Sequence, residues 1–219
     1  MEIGIGYLLE DRYGIKLLEN KPFWLNSIKT VYERKLLSRD EIIQSRISKL
    51  WDSIVSINLE IDDERKVKKI LYTDGSELEE SIKFTFQRMN LRCRETKISE
   101  EDCFIENTMG SFLFEIKGCD SYVRKKGLRQ LWEWKDKIEE LGFVIDRSVF
   151  IVNHFKTIPI EDRPFPFEQN IVRDAEGLNL LLMTTVDLFK IYNLFLNNKI
   201  NTNEICSLLK ASPTIFKLS

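Results

Sequence analysis

Glu115 and Lys117 stand two residues apart in the run FLFEIKG, residues 112–118. Side chains along a strand alternate between faces, so Phe112, Phe114 and Ile116 share one face, and Leu113, Glu115 and Lys117 the other. A carboxylate and an amine thus lie together on a face of an otherwise apolar segment. Charged groups in such a place need a partner, a metal or a chemical task. A carboxylate can hold a hard cation, and an amine can steady a nucleophile or a growing negative charge.

The neighbouring segments supply the elements that must position this pair. The spacing predicts a helix over residues 76–90, with Leu78, Ile82, Phe86 and Met89 as its apolar stripe. Strands follow over 91–97, 101–106 and 111–117, the last two joined by NTMGS, whose Asn and Gly favour a turn. A helix from about 121 to 141 stops at Gly142, and Gly127 inside it suggests a true start near Leu128, leaving 118–126 as a loop. SVFIVN reads as a short strand, and Pro159, Pro164 and Pro166 make 156–170 a loop. A last strand near 178–184 runs into a helix capped by Thr184 or Thr185. This order predicts the α/β class: a mixed central sheet flanked by helices.

Residues 1–72 differ in texture and read as a mainly helical extension, leaving 73–219 as the sheet domain. Ser38 and Glu41 have capping-box spacing. Ile43, Ile47, Leu50, Ile54, Ile57 and Ile61 then follow at alternating steps of four and three, a heptad-like seam expected to be helical and partly buried. It packs against its own domain, against a second copy in a homodimer, or against a partner protein.

With these elements placed, EDCFIENTMGSFLFEIKG, residues 101–118, resembles the Asp, spacer, Glu-X-Lys hairpin of the PD-(D/E)XK nuclease superfamily, the restriction-endonuclease-like fold. GSELEESIKFTFQRMNLR resembles its preceding helix, which often brings a glutamate to the site. RQLWEW resembles the following helix of some branches, with Gln130 and an aromatic, Trp134, one turn later. The resemblance covers roughly residues 70–195. It departs from the family pattern at Glu101, which stands where a proline precedes the aspartate.

The resemblance implies a site of Asp102, Glu115, Lys117, Glu79 and Gln130. Asp102 and Glu115, with Glu79, would hold Mg²⁺, or Mn²⁺ in its place, and Lys117 would orient water or stabilise the phosphorus centre. Mg²⁺ suits such a site because one or two carboxylates plus substrate phosphate complete its oxygen shell. Helix geometry separates Glu79, at the border of the apolar stripe, from Glu80, which should face water. Ser76 and Glu79 also have capping-box spacing, so Glu79 has a structural alternative. Glu101 and Glu106 are alternatives to Asp102, and Gln130 to an ordinary surface glutamine.

Residues 121–137 hold six Lys or Arg against Glu133 and Asp136. Arg124, Lys125, Lys126 and Arg129 are the candidates for phosphate contacts, beside the alternative of a solvated face. Trp132 and Trp134 read as partly core rather than as stacking platforms. His154 follows a strand, and Arg163 either reaches phosphate or braces the Pro-rich loop.

Composition bounds the rest. The chain has 219 residues, 43% hydrophobic and 31% charged, enough for a sizeable core. A net charge of −2 excludes a globally basic nucleic-acid coat and says nothing about local patches. Cys93, Cys103, Cys119 and Cys206 form no CxxC pair, which suggests a reducing cytoplasm. Acidic residues early in MEIGIGYLLEDRYG argue against a secretory signal, and no run is long enough for a membrane span.

The expectation is therefore a metal-dependent endonuclease acting on nucleic acid, DNA before RNA, in a restriction or phage-defence role. The alternative is a catalytically silent nucleic-acid-binding or scaffold module of a larger complex.

Overall fold

The computed structural model describes Pro22, Trp24, residues 27–94 and residues 103–218. Two compact units comprise residues 1–58 and 59–219. Helix α1 (Val31–Lys68) begins at a capping box in which Thr30 Oγ1 accepts from the Glu33 N–H at 3.0 Å and Glu33 Oε2 accepts from the Thr30 N–H at 3.2 Å. The expected start at Ser38 and Glu41 instead falls inside the helix. Good helix formers from Glu33 to Leu37 carry it further upstream. The seam expected to be partly buried is exposed: Ile43, Ile47, Leu50, Ile54 and Ile57 all face solvent, Leu50 at 64%.

The second unit is built on a five-stranded sheet in the order β1-β2-β3-β4-β5: β1 (Cys93–Arg94), β2 (Cys103–Asn107), β3 (Gly110–Cys119), β4 (Arg147–His154) and β5 (Leu180–Thr184). β1, β2 and β3 pair antiparallel, whereas β3–β4 and β4–β5 are parallel, so the sheet is mixed. The α/β class and the helical N-terminal extension are as expected.

Alternation sorts the core into two layers. Phe112, Phe114 and Ile116 pack with Leu78, Ile82 and Phe86 of α2 (Gly75–Arg88), and with α5 (Thr185–Leu196) and α6 (Thr202–Ala211). Leu113, Phe150 and Val152 pack on the other face with α3 (Lys125–Glu140) and α4 (Gln169–Gly177). Each fully buried Leu or Phe removed from water contributes about 1.5–3 kcal/mol, so these layers hold the sheet.

Several boundaries differ from the sequence expectation. Helix α3 starts at Lys125, not near Leu128, and Gly127 lies buried within its first turn. A Cβ there would come within 2.7 Å of the Phe150 ring, so this glycine permits close packing rather than ending a helix. Gln169 begins α4 inside the segment expected to be a loop, and α6 was not expected at all. Thr184 caps α5 with Asp187 in a capping box. Cys93 and Cys103 form a disulfide, with Cα atoms 5.5 Å apart on paired strands. Strand pairing brings them together, and chain spacing does not reveal it. The reading of the cysteines from their spacing did not include this bond, and Cys119 and Cys206 are free thiols. Among the described residues, no helix is long and apolar enough to cross a membrane.

Candidate active site

Strand β3 places Glu115 and Lys117 on the face that α3 covers, opposite Phe150 and Val152 of β4 in register. The Glu115 side chain is fully buried, and its Oε1 lies 2.5 Å from the Lys117 ammonium, which is 41% exposed. Lys117 therefore joins the buried carboxylate to an open cleft of about 640 Å³. Arg124, Lys126 and Gln130 line the same cleft, and Gln130 is half-buried. Four of the expected residues thus meet in one concave place: Lys117, Gln130, Arg124 and Lys126, with Glu115 behind them.

Two glycines let the surrounding elements close in. Gly127 brings α3 against Phe150, and its Cβ position lies 3.8 Å from Lys117 Cγ. Gly118, the residue after Lys117, abuts the start of α2, where a Cβ would sit 2.8 Å from the Asp74 Cα. A backbone neighbour cannot swing aside, so only glycine fits.

Glu79 lies on α2, in the opposite layer from Glu115, on the helix whose start meets β3 at Gly118. It is half-buried whereas Glu80 is exposed, matching the helical geometry. The residue before α2 is Asp74, which makes no side-chain cap bond, so Ser76 is not the cap of a box with Glu79. Asp102 lies outside the described residues. So does Glu101, one alternative to it, while Glu106 pairs with Arg94 in an ion pair. Among the described residues, no group of three or more His, Cys, Asp or Glu is arranged to hold a metal ion.

The basic run divides. Lys125 and Arg129 line a separate groove between α3 and α4, where Lys125 pairs with Asp174 at 2.7 Å. Trp134 is buried, as a core residue should be, but Trp132 is 43% exposed in that groove.

Other contributors to the cleft were not read from the sequence. Tyr122 lines it and meets Phe155 edge-on at 5.2 Å between ring centres. Phe155 has φ 45°, a left-handed conformation rare for so bulky a residue. Asp120, also in the lining, is approached by Lys156, which forms a hydrogen-bonded ion pair with Asp74; that bond holds the Lys156 amine above its usual pKa. An aromatic between the Glu-X-Lys strand and the basic helix was the available signal. Cys119 is a free thiol in the same lining, and burial pushes its pKa up.

Arg163 braces the loop. Its guanidinium donates to Leu71 O at 2.7 Å, Ile158 O at 2.9 Å and Asn153 Oδ1 at 3.1 Å. Asn153 in turn donates to Thr73 O at 2.8 Å and accepts from Thr185 Oγ1 at 3.2 Å. Buried hydrogen-bonded amides of this kind fix where strand ends and helix starts sit relative to each other. His154, at the end of β4, is buried. That burial, followed by the Arg163 charge, pushes its pKa down.

No protein-family model matches the chain, and no curated protein matches it. Among solved structures it is similar to the restriction endonuclease FokI, with a TM-score of 0.48 and 10% identity. That likeness covers 65% of this chain, which spans only 29% of the FokI chain.

Proposed function

We propose that the chain is a metal-dependent nuclease that hydrolyses phosphodiester bonds of nucleic acid, DNA before RNA, in a restriction or phage-defence role. One observation carries this reading: a fully buried carboxylate, Glu115, holds the Lys117 amine at 2.5 Å on the floor of a basic cleft. Support also comes from the order α2-β1-β2-β3-α3-β4, which sets the Glu-X-Lys strand centrally between two helices.

The donor chemistry at Glu115 fits a hard divalent ion, since its oxygens are carboxylate oxygens beside a cleft open to water and phosphate. Glu115, Asp102 and Glu79 are the residues that would hold Mg²⁺ or Mn²⁺. Asp102 directly precedes Cys103 in sequence, and Cys103 pairs with Phe114, the neighbour of Glu115. When bound, such an ion would supply Lewis-acid stabilisation and a more acidic water. Lys117 orients the attacking water and offsets charge on the phosphoryl oxygens. Gln130 helps position the water, and Arg124 and Lys126 hold phosphates on either side of the cut. The exposed Ile43–Ile57 seam repeats in steps of four and three, the spacing at which a second copy of the helix would pair with it.

The test is cleavage of linear, circular and single-stranded substrates with Mg²⁺, Mn²⁺ or chelator, alongside a mass measurement of the assembly. Lys117→Ala is expected to lose at least about a hundredfold in rate. Full metal-dependent cleavage by that variant overturns the assignment, and a monomeric mass overturns the pairing.

A further inference from the structure

The groove between α3 and α4 is distinct from the cleft around Lys117, and its volume is about 730 Å³. Leu128, Leu178 and Gly177 line it, and nothing stands within 4 Å of a Cβ placed on Gly177, so that side is open. Trp132 presents its indole to this space while Leu128, Leu131, Trp134 and Ile138 carry the core face of the same helix. Packing therefore does not account for a tryptophan at this position. Arg129, three residues before it, and Arg173 on α4 are both exposed in the groove. Of the two acids in the lining, Asp174 is paired with Lys125, which leaves Glu133 facing two guanidinium groups.

Helical geometry connects the two hollows. Residues three apart are surface neighbours, so Lys126, Arg129 and Trp132 form a diagonal row on α3. Lys126 belongs to the cleft and Trp132 to the groove, about 9 Å further along the helix axis. A basic track thus leads from Lys117 over the α3 ridge to an exposed aromatic face.

We propose that this groove binds an unpaired nucleic-acid strand running out of the cleft, with a base stacked on Trp132 and phosphates on Arg129 and Arg173. Only a base outside a duplex can lay its face on an indole, and a positive groove with an aromatic platform is the chemistry of single-strand binding. The inference deepens the nuclease reading and rests on it for the origin of the strand. It names the substrate class as nucleic acid with a single-stranded segment beside the cut.

Binding by the full-length protein, measured with chelator present, separates the groove from turnover. The probes are a fluorescent single-stranded oligonucleotide and a duplex of the same length. Trp132→Ala is expected to weaken single-strand binding about tenfold or more while leaving duplex binding unchanged, and Trp132→Phe to restore most of it. Arg129→Gln and Arg173→Gln should each reduce the salt slope of the affinity by about one. Absence of single-strand binding by the wild type, wild-type binding by Trp132→Ala, or equal loss on both probes overturns the proposal. A polyglutamate peptide whose binding requires Trp132 while the oligonucleotide's does not assigns the groove to an acidic protein partner, and also overturns it. If the wild type cleaves nucleic acid but Trp132→Ala binds normally, the groove alone fails. If nothing is cleaved yet Trp132→Ala loses single-strand affinity, the groove stands and the nuclease reading fails.

Discussion

The Lys117 ammonium stands 2.5 Å from Glu115 Oε1, joining a fully buried carboxylate to an amine that is 41% exposed. Removing one partner of an ion pair whose carboxylate is buried leaves an uncompensated charge, which costs more than losing an exposed pair. The pair therefore has a structural as well as a chemical role. In a double-mutant cycle of Glu115→Gln and Lys117→Met, urea unfolding is expected to give a coupling of about 1–3 kcal/mol. Additivity of the two single changes shows that the contact contributes nothing to the fold.

Gly127 offers a separate test, because two effects oppose each other there. Alanine is the better helix former by about 1 kcal/mol. Its Cβ would meet the Phe150 ring at 2.7 Å, and that ring is itself buried at 1% exposure. Overpacking costs typically about 1–3 kcal/mol, so the clash is expected to win. Gly127→Ala should lower the unfolding midpoint, and adding Phe150→Leu should recover part of it. A Gly127→Ala protein as stable as the parent refutes the close packing of α3 on β4.

His154 is the chain's single histidine, so a stability change between about pH 7 and 5.5 reports chiefly on it. Burial and the Arg163 charge depress its folded pKa, although Asp187 opposes this. Above about pH 6.5 the ring is neutral in both states and adds no pH dependence. Below that, the unfolded chain takes a proton that the folded chain resists, so stability falls until the folded pKa is passed and then levels. Asp146 acts in a lower window. The Ser111 N–H first, and Lys210 with it, hold its carboxyl below the usual range, so its contribution is lost only below about pH 3.9. Unfolding curves for the wild type and His154→Gln should diverge in slope between pH 6.5 and 5.5; parallel curves defeat the assignment.

Much of the second unit was legible because its patterns are periodic. The α2 stripe of Leu78, Ile82 and Phe86, the alternation along β3 and the Thr184 cap each follow from local rules that packing did not override. Helix α4 escaped because three prolines precede it closely and it spans only 9 residues. Helix α6 had a readable start, the Asn201–Glu204 capping box, which went unread. Gly127 misled because its reason is a ring on another element, invisible to a rule about helix interiors. Long-range partners were the least legible: Arg163 reaches Leu71 O, and Trp132 shares its groove with Arg173, across separations no spacing rule spans. Within the candidate site, residue types indicated Lys117, Gln130, Arg124 and Lys126. Their segregation from Lys125 and Arg129 required the geometry of the α3 surface.

The Cys93–Cys103 disulfide ties β1 to β2 and closes a loop with a sequence separation of 10. A cross-link over so short a loop removes limited freedom from the unfolded chain, about 2–3 kcal/mol by loop-closure entropy. The covalent tie adds to the antiparallel ladder that holds β1 to β2 at Cys93 and Arg94. Reductant is therefore expected to lower the urea unfolding midpoint of the wild type but not that of a Cys93→Ser/Cys103→Ser variant. Thiol titration in denaturant without reductant should find two free cysteines, Cys119 and Cys206. Four free thiols in protein isolated without reductant, or equal response of both proteins to reductant, means that the bond is not part of the working fold.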